Sequence, residues 1–80
     1  MISHVQAWVR EVAALPTEAE VQVHEETHCP DPSCPLRRTV FQWTDAAGKI
    51  HRTFLVKPLV YVRRDDVVRA LRLYVASRSA

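Results

Sequence analysis

The sequence predicts an α+β fold in the order α-β-β-β-α, a three-stranded antiparallel meander with two helices packed on one face. Three observations carry this. Apolar residues recur at helical spacing near both ends of the chain, and between residues 20 and 56 they alternate one by one. The single glycine, Gly48, falls between two of the alternating runs, where a hairpin turn belongs. Residues 1–80 form one small domain, and 48% hydrophobic with 25% charged residues is the composition of a folded chain.

Residues 3–14 read as the first helix. Ile2, Val5, Val9 and Val12, with Trp8 and Leu15 beside them, make one apolar stripe. Ser3 followed by Gln6 predicts a capping box, and Pro16 ends the helix. From Glu20 the period becomes two, with Val21 and Val23 opposed to Gln22, His24 and Glu26. A Pro-rich loop follows. The second strand is read at Arg37–Thr44, with Thr39, Phe41 and Trp43 on one face, and the third at 49–56.

Taking Asp45-Ala46-Ala47-Gly48 as a four-residue turn sets Thr44 opposite Lys49, Trp43 opposite Ile50 and Thr39 opposite Phe54. All large apolar residues then share one face, leaving Gln42 and His51 on the wetter one; a slip of one residue would put Trp43 opposite His51. Lys57-Pro58 ends regular pairing, with 59–62 a short strand extension. The last helix is read at 64–77, its buried stripe Val67, Val68, Leu71, Tyr74 and Val75. Asp65 and Asp66 suit its N-terminus and Arg78 its C-terminus.

Charge divides by halves. Residues 1–36 hold six acids against Arg10 alone, and residues 37–80 hold ten Lys and Arg against Asp45, Asp65 and Asp66. Such segregation marks either a polarised binding surface or two halves that pair across the fold. The longest apolar stretch, 54–62, is broken by Lys57 and Pro58 and falls short of the ~20 residues of a membrane span. No secretory leader is evident, since Gln6, Arg10 and Glu11 interrupt the first apolar residues. The expected compartment is the cytoplasm, where thiols stay reduced; in an exported protein a Cys29–Cys34 disulfide would be expected instead.

The order of elements resembles that of the double-stranded RNA-binding domain. In that family lysines at the start of the last helix grip phosphates, and a Gly-Pro-x-His loop reaches a minor groove. Here those places read "RRDDVVRAL" and "HCPDPSCP", so the resemblance is one of architecture and no functional residue carries over. A nucleic-acid reading would rest on Arg63, Arg64, Arg69 and Arg72 as backbone contacts. Phe41, Trp43 and Phe54 are assigned to the core, which leaves no aromatic to stack on bases.

The chemistry-bearing segment is "HCPDPSCPL", residues 28–36, which holds both cysteines. One C-x₄-C pair is half of a zinc site, and no second pair exists. His28 with Cys29 and Cys34 is the feasible ligand core for a zinc-like ion. His24 lies about 13 Å from His28 along a strand rising ~3.3 Å per residue, too far to share one ion. His51 is the remaining candidate fourth ligand. Thiol redox chemistry is the alternative, disfavoured by Glu25, Glu26 and Asp31 nearby and by spacing unlike C-x-x-C. The plain structural reading is two small buried hydrophobes in a Pro-stiffened loop.

No phosphate loop fits a chain with one glycine, no base–nucleophile pair is evident, and catalysis is not expected. The expected role is that of a small binding protein whose partner is another protein, the Cys29–Cys34 loop being its metal-handling or interaction feature. The alternatives are nucleic-acid binding through the basic half, or a metal-free structural subunit whose exposed sheet edge pairs with another chain.

Overall fold

The computed structural model describes residues 2–31 and 33–79. The elements are α1 (Ile2–Val12), β1 (Val21–Thr27), β2 (Arg37–Thr44), β3 (Ile50–Leu55), a 3₁₀ turn (Leu59–Tyr61), α2 (Arg64–Ala70) and α3 (Arg72–Ser79). The strands form one antiparallel sheet in the order β1-β2-β3, so the expected α+β meander is present. The helices cover one face, where Val5, Val9 and Ala13 meet Val21, Val23, Phe41, Trp43, Val62, Val67 and Leu71 in a single core. The side chain of Arg78, expected to cap the last helix, and the expected stiffening by Pro32 lie outside the described residues.

α1 differs from expectation at both ends. It already includes Ser3, and the Gln6 amide donates to the Val21 carbonyl at 2.9 Å, so no Ser3–Gln6 capping box forms. One turn on, Arg10 Nε donates to Ala19 O at 3.1 Å, so both side chains fasten α1 to the start of β1. The helix ends before Pro16. Ala14 sits at φ 54°, with Ala14 N–H bonded to Glu11 O and Leu15 N–H to Arg10 O. This is the Schellman termination, with alanine where glycine is usual.

The β2–β3 register is offset by one residue from the expected one. Thr44 pairs with Ile50, Trp43 with His51 and Thr39 with Leu55. The turn explains it. Asp45 N–H bonds Lys49 O and Gly48 N–H bonds Asp45 O, leaving three residues in the loop, with Gly48 at φ 84°. Asp45 Oδ1 also accepts the N–H groups of Ala47 and Lys49, both at 2.9 Å. This local chemistry prevails over the apolar pattern. His51 moves under the helices, while Ile50 and Phe54 move to the face no helix covers, 64% and 48% exposed. Phe54, expected in the core, is therefore a surface residue.

Residues 59–61 form the 3₁₀ turn rather than a strand extension. Glu25 fixes it, accepting Leu59 N–H at 2.8 Å, and this bond, ahead of Arg37, holds the Glu25 carboxyl below its usual range. The expected single last helix is two segments meeting at Leu71, whose N–H still bonds Val67 O. Val67 and Leu71 are buried, but Val68 is exposed, contrary to the expected stripe. Asp66 stands in the first turn of α2, as expected, and is buried. It accepts Arg63 N–H (2.9 Å), Lys57 Nζ (2.8 Å) and Arg69 (2.9 Å), closing the first turn of α2. The Lys57 ammonium leads in holding its carboxyl below the usual range.

Candidate functional site

Both long edges of the sheet carry outward main-chain groups, and on β1 only the Val21 carbonyl among them finds a partner in the described residues, the Gln6 amide. Thr44 N–H bonds Glu20 O and His28 N–H bonds Leu36 O, so even-numbered residues of β2 face β1. Odd-numbered ones face β3, as the Asp45–Lys49 bond shows. Antiparallel alternation then turns the N–H and C=O groups of Ile50, Arg52 and Phe54 outward, away from β2. Among the described residues no other element bonds them. β3 is thus an edge with a row of free donors and acceptors.

Side chains around this edge are also unlike an ordinary solvated surface. Ile50, Phe54 and Val56 stand exposed on or just beyond β3, and Leu36, just before β2, is exposed as well. Val40, between His24 and Phe54 across the sheet, is only 1% exposed, so its neighbours on this face close over it. The Arg38 guanidinium lies 4.8 Å above the Phe54 ring. Glu26 is the acid among them. It pairs with Arg38, His24 (3.1 Å) and, more distantly, Arg52 (3.7 Å). The Arg38 hydrogen bond, then that of His24, holds the Glu26 carboxyl below its usual range. On the helix side of the same edge, a groove of about 220 Å³ runs between Thr53 and the helical residues Ala70 and Leu73, and Leu73 is 84% exposed.

The cysteine loop is organised within itself. Cys29 and Cys34 are joined as a disulfide, their Cα atoms 6.1 Å apart, a separation usual for such bridges. Asp31, an acid expected to favour a cation here, accepts the N–H and hydroxyl of Ser33 at 2.9 and 2.8 Å. These bonds, the backbone one leading, hold its carboxyl below the usual range. His28 extends the β1–β2 ladder and directs its ring to Phe54, at 6.1 Å, with Nδ1 buried and unbonded. The expected zinc-like grouping of Cys29, Cys34 and His28 is not assembled: among the described residues no three His, Cys, Asp or Glu side chains converge. His51, expected as a distant fourth ligand, lies on the other face of the sheet.

The four arginines of the nucleic-acid reading do not form one free cluster. Arg64 pairs with Glu11 at 2.5 Å and Arg69 with Asp66 at 2.9 Å, while Arg63 and Arg72 are exposed. Together with Glu25–Arg37, Glu26–Arg38 and Glu26–Arg52, the Glu11–Arg64 pair joins acids of the first half to bases of the second. The charge division thus pairs off across the fold to a large extent.

One cluster had no counterpart in the expected sites. His51 Nε2 lies 2.7 Å from Asp45 Oδ2, and its ring stacks on Trp43 (5.6 Å) and meets the edge of Tyr74 (4.6 Å). It borders a cleft of about 420 Å³ lined also by Leu15, Lys49 and Ser77. The His51 contact, followed by Lys49 N–H, holds the Asp45 carboxyl below its usual range. Asp45 makes five contacts that all close the β2–β3 hairpin, two through its backbone and three through its carboxylate, so the pair fixes the turn. No hydrogen bond links Ser77 to His51 among the described residues. The sequence signal for this arrangement was the spacing of Asp45 and Gly48, the first and last residues of a type I turn.

Comparison with known protein families, curated proteins and solved structures finds no match for this chain.

Proposed function

We propose that this chain is a small, non-catalytic interaction protein that takes an extended segment of another protein onto the free edge of β3. The observation that carries the reading is the set of unpaired backbone groups at Ile50, Arg52 and Phe54, flanked by the exposed side chains of Ile50, Phe54 and Leu73. Main-chain bonds to an added strand supply affinity, and side chains on either side of it supply selectivity. The nucleic-acid alternative has weaker support, because two of its arginines already pair with acids. No helix among the described residues is long and apolar enough to cross a membrane, and the cytoplasm is the compartment we assign. There the Cys29–Cys34 bridge would stand open as a dithiol.

A backbone-directed variant tests the reading. In Arg52→Pro the lost N–H is an outward one, so the β2–β3 ladder keeps its bonds while the edge loses a central donor. A photo-crosslinking residue placed at position 50 is expected to capture one defined extended segment in cells. Adding Arg52→Pro should abolish that product with the circular dichroism spectrum unchanged, whereas Arg52→Ala should retain it. Capture that persists in the folded proline variant would overturn strand addition.

A further inference from the structure

On the strand-addition reading above, we infer that the β3 edge selects an acidic extended segment, one carboxylate flanked at alternate positions by apolar side chains. The inference rests on charge at the edge. Residues 49–57 carry Lys49, Arg52 and Lys57 and no acid. Lys57 is held by Asp66 at 2.8 Å. Arg52 reaches only Glu26, at 3.7 Å, and that carboxylate also serves Arg38 and His24; the Arg52 side chain is 56% exposed. Lys49 is exposed at the start of the same edge. An incoming strand therefore meets incompletely compensated positive charge at its middle and at one end.

Register supplies the flanking residues. Ile50, Arg52 and Phe54 share the open face, so a partner residue set opposite Arg52 has neighbours two places away opposite Ile50 and Phe54. A carboxylate at the centre pairs with the guanidinium, and apolar residues to either side cover Ile50 and Phe54. The intervening partner residues point to the helix side, where the groove beside Leu73 and Ala70 accepts an apolar side chain.

The same charges argue against a second copy of this chain as the occupant. Antiparallel self-pairing centred on Arg52 sets two guanidiniums face to face, and centring it on Thr53 sets Lys49 opposite Lys57. Like charges directly opposed destabilise such pairs. Basic residues on an edge are a common device against self-association, and here they coincide with exposed apolar positions that suit a different strand.

The test uses the full chain, isotopically labelled, and two capped ten-residue peptides of alternating Val and Thr. The peptides differ only in whether the central residue is Glu or Lys. Amide shifts at 50, 52 and 54 report edge occupancy. The Glu peptide is expected to bind about fivefold more tightly than the Lys peptide at low salt, with the difference shrinking as salt rises. Arg52→Glu should invert the order, and Arg52→Ala should equalise the two. Equal binding of both peptides at the wild-type edge overturns acidic selection and leaves strand addition standing. Failure of both peptides to shift those amides in the folded protein counts against strand addition itself. Concentration-dependent broadening of the same amides without peptide would mean a second copy occupies the edge, and it too overturns the inference.

Discussion

Phe41 and Phe54 stand in adjacent strands of one small sheet, yet Phe41 is fully buried under the helices and Phe54 is half exposed. The edges differ in their side chains. β1 is fastened to α1 at its start through Gln6 and Arg10, and the outward main-chain groups of both β1 beyond Val21 and β3 have no partner among the described residues. Only β3 sets such groups beside exposed Ile50 and Phe54. A sheet that needed only to be stable would not place free main-chain groups, Ile50 and Phe54 side by side. This is the contrast that points to β3 as the working surface.

The comparison can be broken most sharply at the two phenylalanines. Phe41→Ala should cost about 4 kcal/mol, because it empties a filled core position. Phe54→Ala should cost about 1 kcal/mol, since half of its ring is already in water. Urea unfolding of both variants measures this, and equal losses would remove the distinction between the faces.

Next in size is Asp66→Ala, expected to cost about 2 kcal/mol through loss of a buried acceptor serving one backbone and two side-chain donors. Acid probes the same group. The folded-state values of Asp66, Asp45 and Glu26 all lie below their ordinary ones. Their stabilisation is complete above the unfolded carboxylate range, near pH ~4, and is lost as pH falls through the lower folded values. Stability followed by circular dichroism should therefore hold down to about pH 5 and decline below that, and less steeply in Asp66→Asn.

Smaller effects separate the edges. Gln6→Ala should cost about 1 kcal/mol and speed amide exchange where α1 meets β1, without altering exchange at Ile50, Arg52 or Phe54. The latter amides should already exchange faster than those of central β2, and protection there in the isolated monomer would contradict a free edge. The smallest expected change is a gain. Ala14→Gly should stabilise by about 0.5 kcal/mol, because glycine takes the left-handed termination of α1 without the Cβ penalty.

Much of the fold could be read directly. Val5 and Val9 at helical spacing, Val21 and Val23 in alternation, and Phe41 and Trp43 on one face all occupy the core positions their patterns indicated. The site was harder to read. Even-numbered Ile50 and Phe54 and odd-numbered Leu55 lie on opposite faces of β3, so apolarity alone could not set its register. Asp45 set it, through bonds to Ala47, Lys49 and His51 that a pattern of apolar residues does not contain. Gln6 escaped in the same way. Its sequence position suggested a local cap, and it instead donates to the Val21 carbonyl, across the turn between α1 and β1.

The amino-acid sequence by itself determined the order of the helical ends and the three strands and most residues of the core, because these follow from backbone periodicity and the burial of apolar side chains. Tertiary structure alone decided which face Phe54 occupies, which edge gathers exposed apolar side chains and which charges find partners. Those outcomes turn on one residue of hairpin register and on contacts between distant segments. A difference of one residue in a strand moves every side chain to the opposite face.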